Sequence, residues 1–310
     1  MVKPFDEFDL IERIRRASQP HPRVLLGIGD DAAVIDAASA RHGLLVATDM
    51  LMDGRHFAAN QTPPRDIGRK ALAVNLSDIA AMAGRPTAAF MSVAHNRAQG
   101  TDFAEDIHLG MADLAAEFGV AIAGGDTNVW DGPLVINVTL LGEAGPGGPI
   151  TRGGARPGDR LFVTGALGGS LASGRHLRCQ PRIQEAQWLS EHVDLHAMLD
   201  ISDGLLGDLA HICRESQIGI ELAANAIPIH SDVSSGLSEQ ERLITALTDG
   251  EDFELAFCVS PTDAVLLSEQ PPSAFSLFEI GQIVEGSAIT ILDQNNQPLS
   301  LVEQGWRHRW

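Results

Sequence analysis

The sequence predicts an α+β, or mixed-sheet α/β, protein of two domains. Three observations predict it. Short apolar runs of strand character mix with longer segments of helical period, without the strict alternation of a doubly wound parallel sheet. The 310 residues, 44% of them apolar, are enough for two cores. A Gly- and Pro-dense stretch over 142–159, GEAGPGGPITRGGARPGD, carries no apolar period and divides the chain near residue 150. The expected domains are 1–149 and 150–310.

The elements follow in order. FDEFDLIERIRRAS reads as a helix, because Phe5, Phe8, Ile11 and Ile14 recur at a spacing of three. Val24–Leu26 and Leu44–Thr48 read as strands, and AAVI between them has strand rather than helix character. Asp66–Ala83 reads as a long helix stopped by Gly84. Thr87–Val93 reads as a strand, Asp102–Phe118 as a helix, and Val120–Ala123 and Leu134–Leu141 as strands. The second half opens with a strand at Arg160–Thr164 and the Gly-rich GALGGSLASG. A helix is expected after Asp203, placed as its N-cap. A helix at Glu239–Leu247 and strands at Phe253–Val259, Leu277–Ile283 and Ala288–Leu292 complete the prediction.

Composition narrows the function. The formal net charge is −19, from 22 basic and 41 acidic residues. A duplex nucleic-acid binder depends on Lys and Arg to displace counterions, so that class is excluded. No apolar run approaches the roughly 18 residues of a membrane span. The acidic MVKPFDEFDL does not resemble a secretory signal. Cys179, Cys213 and Cys258 lie far apart and without metal-ligand spacing. A reducing, cytoplasmic setting is expected.

GIGDDAAV, Gly27–Val34, poses the sharpest question. Its glycines follow a strand and match a dinucleotide fingerprint, with Asp49 near the expected ribose-binding position. That fingerprint needs a helix next, and a strand is expected instead. Asp30 and Asp31 would also repel pyrophosphate. No Walker A loop occurs anywhere in the chain. Magnesium between aspartate and phosphate removes the conflict, because Mg²⁺ prefers carboxylate oxygen and bridges to phosphates. Candidate carboxylates sit at the ends of apolar runs or beside small residues: Asp30, Asp49 in VATDM, Asp78 in NLSDIAA, Asp126 in AGGDTN, and Asp200 and Asp203 in LDISDG. Asp30 is the stronger candidate of its pair. Gly124 and Gly125 would let backbone N–H groups approach a ligand, as could GALGGSLASG.

GIGDDAAV, ATDMLMDGRHF, ALAVNLSDIAAMAG, AGGDT, LDISDGLLGDLAHI, DGEDFEL and a terminal GW occur in this order. The set resembles thiamine-monophosphate kinase, in the superfamily of aminoimidazole ribonucleotide synthetase. The resemblance implies an N-terminal ATP- and magnesium-binding domain whose sheet forms a homodimer, and a C-terminal α/β domain. It implies transfer from ATP to thiamine monophosphate with several Mg²⁺ ions. Asp30, Asp49, Asp78, Asp126, Asp200 and Asp203 would be metal ligands, with Thr48 lending an oxygen. Asp49, Asp126 and Asp203 would be catalytic. Gly125, Asp126, Arg152 and Ser202 would contact ATP, and His56, Glu251 and Trp306 would line the thiamine phosphate pocket. The chain departs from the family pattern at Ala47, Asn128, Gly169 and Asp249. Another superfamily member acting on a different phosphorylated substrate is the alternative.

Overall fold

The computed structural model describes residues 24–26, 30–35 and 40–299. The expected helix at 5–18, the Gly27–Gly29 turn and Trp306 lie outside them. In the first half, strands β1 (Val24–Leu26), β2 (Ala33–Ile35) and β3 (Leu44–Met52) precede helix α1 (Pro64–Ala81). Strand β4 (Arg85–Asn96), helix α2 (Gly100–Glu117), β5 (Ala121–Trp130) and β6 (Val135–Glu143) follow. The six strands form one sheet, in the order β1-β2-β3-β6-β4-β5. Only β4 and β5 pair in parallel there.

The second half holds β7 (Arg160–Val163), the single turn α3 (Ser170–Ser173), α4 (Ile183–His192), β8 (Leu195–Asp200), α5 (Leu205–Ser216) and β9 (Gly219–Ala223). It continues with α6 (Glu239–Thr248), β10 (Leu255–Val259), α7 (Pro261–Glu269), β11 (Phe278–Val284) and β12 (Ile289–Leu292). These strands form a second sheet, β12-β9-β11-β7-β10-β8, in which only β12 and β9 run parallel. Two mixed sheets with helices match the predicted fold class.

Helix α1 is the element that joins the halves. Its sequence, PRDIGRKALAVNLSDIAA, is rich in small residues and is buried on most sides, including Lys70, Asn75 and Ser77. Such a helix cannot lie on a surface. One apolar core runs from Leu45, Leu72 and Ile136 of the first half to Ile183, Leu189, Met198 and Phe257 of the second. A second core, with Leu161, Leu199, Ile212 and Ile283, lies on the other face of the second sheet. Period-2 alternation divides β10 between them: Leu255, Phe257 and Val259 join the first, Ala256 and Cys258 the second.

The end of α1 differs from the expected Gly84 stop. Ala83 takes the left-handed conformation at φ 53°. Its N–H reaches Ala80 O, and the Gly84 N–H reaches Ile79 O, which together form a Schellman closure. Gly84 is required for a different reason: a Cβ there would lie 2.3 Å from Leu45 Cδ1. Elements absent from the sequence reading are the single turn α3, α4, β8, β9 and α7. Among the described residues, no helix is long and apolar enough to cross a membrane.

Candidate active site

Three chain segments bring carboxylates together where the halves meet. Asp31 lies just before β2, Asp78 on α1, and Asp200 at the end of β8. One oxygen of each lies within 4.8 Å of the others. Ser77 Oγ donates to Asp200 Oδ2 at 2.6 Å. Asp49 on β3 lies beside Asp78 in the same group.

Arg152, from the connection between the sheets, closes the cluster. Its guanidinium forks onto both oxygens of Asp31, with Nε at 3.1 Å from Oδ2. Its backbone N–H donates to Asp30 Oδ2 at 3.0 Å, while Asp30 Oδ1 accepts from Asp31 N at 2.9 Å. The less favoured member of the GIGDD pair is thus the one inside the cluster, and Asp30 stands beside it as a bracket for Arg152.

The electrostatics follow from burial of like charges. Burial, then Asp31, pushes Asp30 up to about 6. Burial raises Asp49 and Asp31 adds to it, while the neighbouring Asp78 opposes the shift. Asp78 is raised well above the usual carboxylate range by burial and then by Asp49, Asp200 and Asp31. Asp200 is pushed up to about 8 by burial and then Asp31, although the Ser77 hydroxyl opposes the shift. Burial would lower the Arg152 guanidinium, but Asp31, Asp30 and Asp200 together raise it. A single guanidinium among Asp31, Asp49, Asp78 and Asp200 leaves an excess of buried carboxylate. An all-oxygen, carboxylate-rich donor set fits a hard divalent cation such as Mg²⁺.

Other predicted residues lie apart from this group. Thr48 is on the opposite face of β3 from Asp49, where its Oγ1 meets Thr139 Oγ1 and Asn137 Nδ2, each at 3.1 Å. Asp126 is exposed on β5, accepting from Thr127 N and Asn128 Nδ2. Gly124 and Gly125 are not in a loop; they lie inside β5, paired with β4. A Cβ at Gly125 would come within 1.9 Å of Met91 O, so strand approach accounts for this glycine. In the GALGGSLASG loop, two glycine N–H groups are used within the protein. Gly168 N donates to Asp252 Oδ2 at 2.8 Å and Gly169 N to Asp249 Oδ2 at 3.1 Å. Two of the departures from the family pattern, Gly169 and Asp249, therefore touch each other.

Asp203 is not the N-cap expected from the sequence. Helix α5 starts at Leu205 with Gly204 as N-cap, at φ 97°. Asp208, buried and absent from the sequence reading, accepts from Ser202 N and Asp203 N, both at 3.0 Å. Its carboxyl is raised well above the usual range by burial, then Asp203 and Asp200. This shapes LDISDG into a turn, and Glu251 N donates to Ser202 O at 2.7 Å to tie on DGEDFEL.

The substrate-pocket candidates sit at the other end of α1. His56 Nδ1 accepts from Met52 N at 2.9 Å, which leaves the neutral ring's proton on Nε2. Glu251 is held at φ 64°, a costly conformation for a non-glycine residue. Lys70, fully buried, reaches both: its Nζ donates to His56 O at 2.9 Å and to Glu251 Oε2 at 2.6 Å. His176 Nδ1 completes the contact, 2.8 Å from each of Lys70 Nζ and Glu251 Oε2. Burial works to raise Glu251, but His176 and Lys70 outweigh it and hold the carboxyl below its ordinary value. Lys70 and His176 escaped the sequence reading. The available signal was a lysine seven residues before Ser77 on a helix otherwise made of small and apolar residues.

Comparison with known proteins places this geometry. Residues 29–144 match the family described as AIR synthase related protein, N-terminal domain, and residues 156–294 its C-terminal domain. The chain is 41% identical over 286 residues to thiamine-monophosphate kinase from Rhodopirellula baltica, covering 90% of this chain and 89% of that one. It is 34% identical over 328 residues to the Bacillus subtilis enzyme of the same name, covering 98% and 99%. AaThiL complexed with AMPPCP and TMP superposes with a TM-score of 0.83 at 28% identity, covering 98% of this chain and 97% of that one. Thiamine-monophosphate kinase from Stenotrophomonas maltophilia gives a TM-score of 0.73 at 33% identity, covering 93% and 97%. Hydrogenase maturation protein HypE from Escherichia coli, at 21% identity and a TM-score of 0.71, shares the fold. Full-length identity to the kinases, together with both matching halves, shows that the chain belongs to the thiamine-monophosphate kinase family, within the AIR synthase related proteins.

Proposed function

We propose that this chain transfers the γ-phosphoryl group of ATP to thiamine monophosphate, giving thiamine diphosphate and ADP. The observation that carries the reading is the meeting of Asp31, Asp78 and Asp200 within 4.8 Å in a chain with close full-length kinase relatives. The complex of AaThiL with AMPPCP and TMP supports the same substrate pair.

The acceptor is a phosphate monoester, whose second pKa is near ~6, so at neutral pH it is largely ionised. It needs no general base. The barrier is repulsion between two polyanions, and the remedy is positioning with charge neutralisation. Asp31, Asp78 and Asp200, with Asp49 beside Asp78 and Asp30 beside Asp31, would hold Mg²⁺, and Asp30 also holds the Arg152 backbone against Asp31. We extend the ligand set to Asp126 and Asp203, with Thr48 lending an oxygen. Several bound Mg²⁺ ions would neutralise the phosphate oxygens during transfer. Arg152, Gly125 and Ser202 would border the nucleotide. His56 would donate Nε2–H to the substrate phosphate, and Glu251, kept ionised, would face the thiazolium cation. Trp306 is assigned to the same pocket by resemblance. Transfer is direct and in line.

The assembly and setting belong to the same reading. Met50, Met52, Phe90 and Trp130 are exposed on one face of the first sheet, an apolar set suited to a homodimer face. We place the domain boundary near residue 150 and the enzyme in the cytoplasm, consistent with three buried, unpaired cysteines. An end-point assay with ATP and Mg²⁺, offering thiamine monophosphate and free thiamine separately, tests the function. Thiamine diphosphate is expected from the monophosphate alone. Folded protein that makes none rejects it.

A further inference from the structure

Lys70 has no counterpart in the chemistry described so far. It is a fully buried lysine, and burial pushes its ammonium toward the neutral form, with Glu251 opposing. A lysine in such a place is costly unless each of its three N–H donors is used. Its N–H groups reach His56 O and Glu251 Oε2, and its third neighbour is His176 Nδ1 at 2.8 Å, a ring nitrogen that also lies 2.8 Å from Glu251 Oε2. Nζ, Oε2 and Nδ1 form a closed triangle with sides of 2.6, 2.8 and 2.8 Å. Its corners come from α1, from the loop before β10, and from the 3₁₀ turn Arg175–Arg178.

The neighbours of this triangle make it more than core packing. His56 and Glu251 are the two described residues assigned to the thiamine phosphate pocket. One ammonium binds the backbone of the first and the carboxylate of the second, across 14 and 181 residues of sequence. Lys70 also shares a face of α1 with Ser77, two turns on. Seven residues at 1.5 Å rise separate them by about 10 Å along the axis. Ser77 fixes Asp200 of the carboxylate cluster. The helix thus acts as a spacer, with the carboxylate facing the substrate's cation at one end and the metal-binding carboxylates at the other.

We propose that Lys70 is a positioning residue for thiamine monophosphate, tying the His56 loop to Glu251 and aiming the Glu251 carboxylate at the substrate. This rests on the kinase reading above. Without the ammonium, Glu251 loses its main anchor in a strained backbone, and the His56 carbonyl loses its donor. The nucleotide end, two helical turns away, keeps all its contacts.

The test is steady-state kinetics on Lys70→Met and Glu251→Gln, singly and combined, in the full chain. Lys70→Met is expected to raise the KM for thiamine monophosphate at least tenfold while the KM for ATP stays within twofold. The double variant should be no more than twofold worse than Glu251→Gln alone, because both remove one interaction. If Lys70→Met does not fold, Lys70→Gln replaces it; the amide keeps a donor for His56 O and drops the charge, and the same split is expected. An unchanged KM for thiamine monophosphate, equal increases for both substrates, or multiplicative effects in the double variant would overturn the assignment. A wild type that makes no thiamine diphosphate overturns the kinase reading and this proposal with it, whereas an active wild type beside an unaffected Lys70 variant overturns this proposal alone.

Discussion

Ser77 and Asp200, 123 residues apart, share a 2.6 Å hydrogen bond that links α1 to the end of β8. The hydroxyl donates to a buried carboxylate that also faces Asp31 and Asp78. It orients the oxygen and favours the ionised form that a metal requires.

Ser77→Ala removes that donor while keeping the helix. Neighbours that orient a metal ligand are worth about 10–100-fold in metal affinity. The Mg²⁺ concentration for half-maximal ADP formation, at saturating ATP, should rise at least about tenfold. Unfolding free energy should fall by about 1–2 kcal/mol. An unchanged Mg²⁺ dependence would remove Asp200 from the metal site.

The metal-free protein should lose stability as pH rises. An unfolded Asp titrates near 3.8, whereas folded Asp30 is pushed to about 6 and Asp200 to about 8. Between those limits the native state binds more protons than the unfolded state, so stability declines with increasing pH. The melting temperature of chelator-treated protein should therefore drop from pH 5 to pH 8. Asp200→Asn should flatten the slope. MgATP should raise the melting temperature most at the alkaline end, where the ligands are ionised. A metal-free melting temperature that rises over this window would contradict the buried cluster.

Asp49 tests the division between folding and chemistry. It lies on a long, well-paired strand opposite Val138, so Asp49→Asn should fold normally. Phosphoryl transfer should fall by at least about 10²–10³-fold, as for loss of one preorganised electrostatic group. Circular dichroism and a kcat measurement on the same sample check both. Wild-type turnover would strike Asp49 from the site.

Gly125→Ala probes a structural need within a motif expected to serve a ligand. Its Cβ would sit 1.9 Å from Met91 O, forcing β4 and β5 apart. The expected loss is about 1–3 kcal/mol, read as a lower urea midpoint. A midpoint equal to wild type would show that the strands yield without cost.

The motifs were legible as an ordered set, and Asp49, Asp78 and Asp200 do converge. Local pattern carried them because each ends or interrupts an apolar run. What the sequence hid was pairing at long range. The choice between Asp30 and Asp31 depends on Arg152, more than 120 residues away. Lys70 reads as an ordinary surface lysine, since that residue type is rarely buried; only the packing of α1 between both halves encloses it. AGGDT reads as a turn because Gly-Gly usually breaks a strand. Here the close approach of β4 keeps it extended. Asp203 has the sequence position of a cap, but the neighbouring Asp208 takes the turn's N–H groups instead.

The most direct measurement is an anomalous difference map from crystals grown with Mn²⁺ and AMPPCP. Manganese should appear roughly 2.0–2.2 Å from oxygens of Asp31, Asp78 and Asp200, the distance expected for a hard divalent ion replacing Mg²⁺. The nucleotide phosphates should lie against the same peak. A bound nucleotide whose manganese lies elsewhere, with these three carboxylates bare, would contradict the central claim.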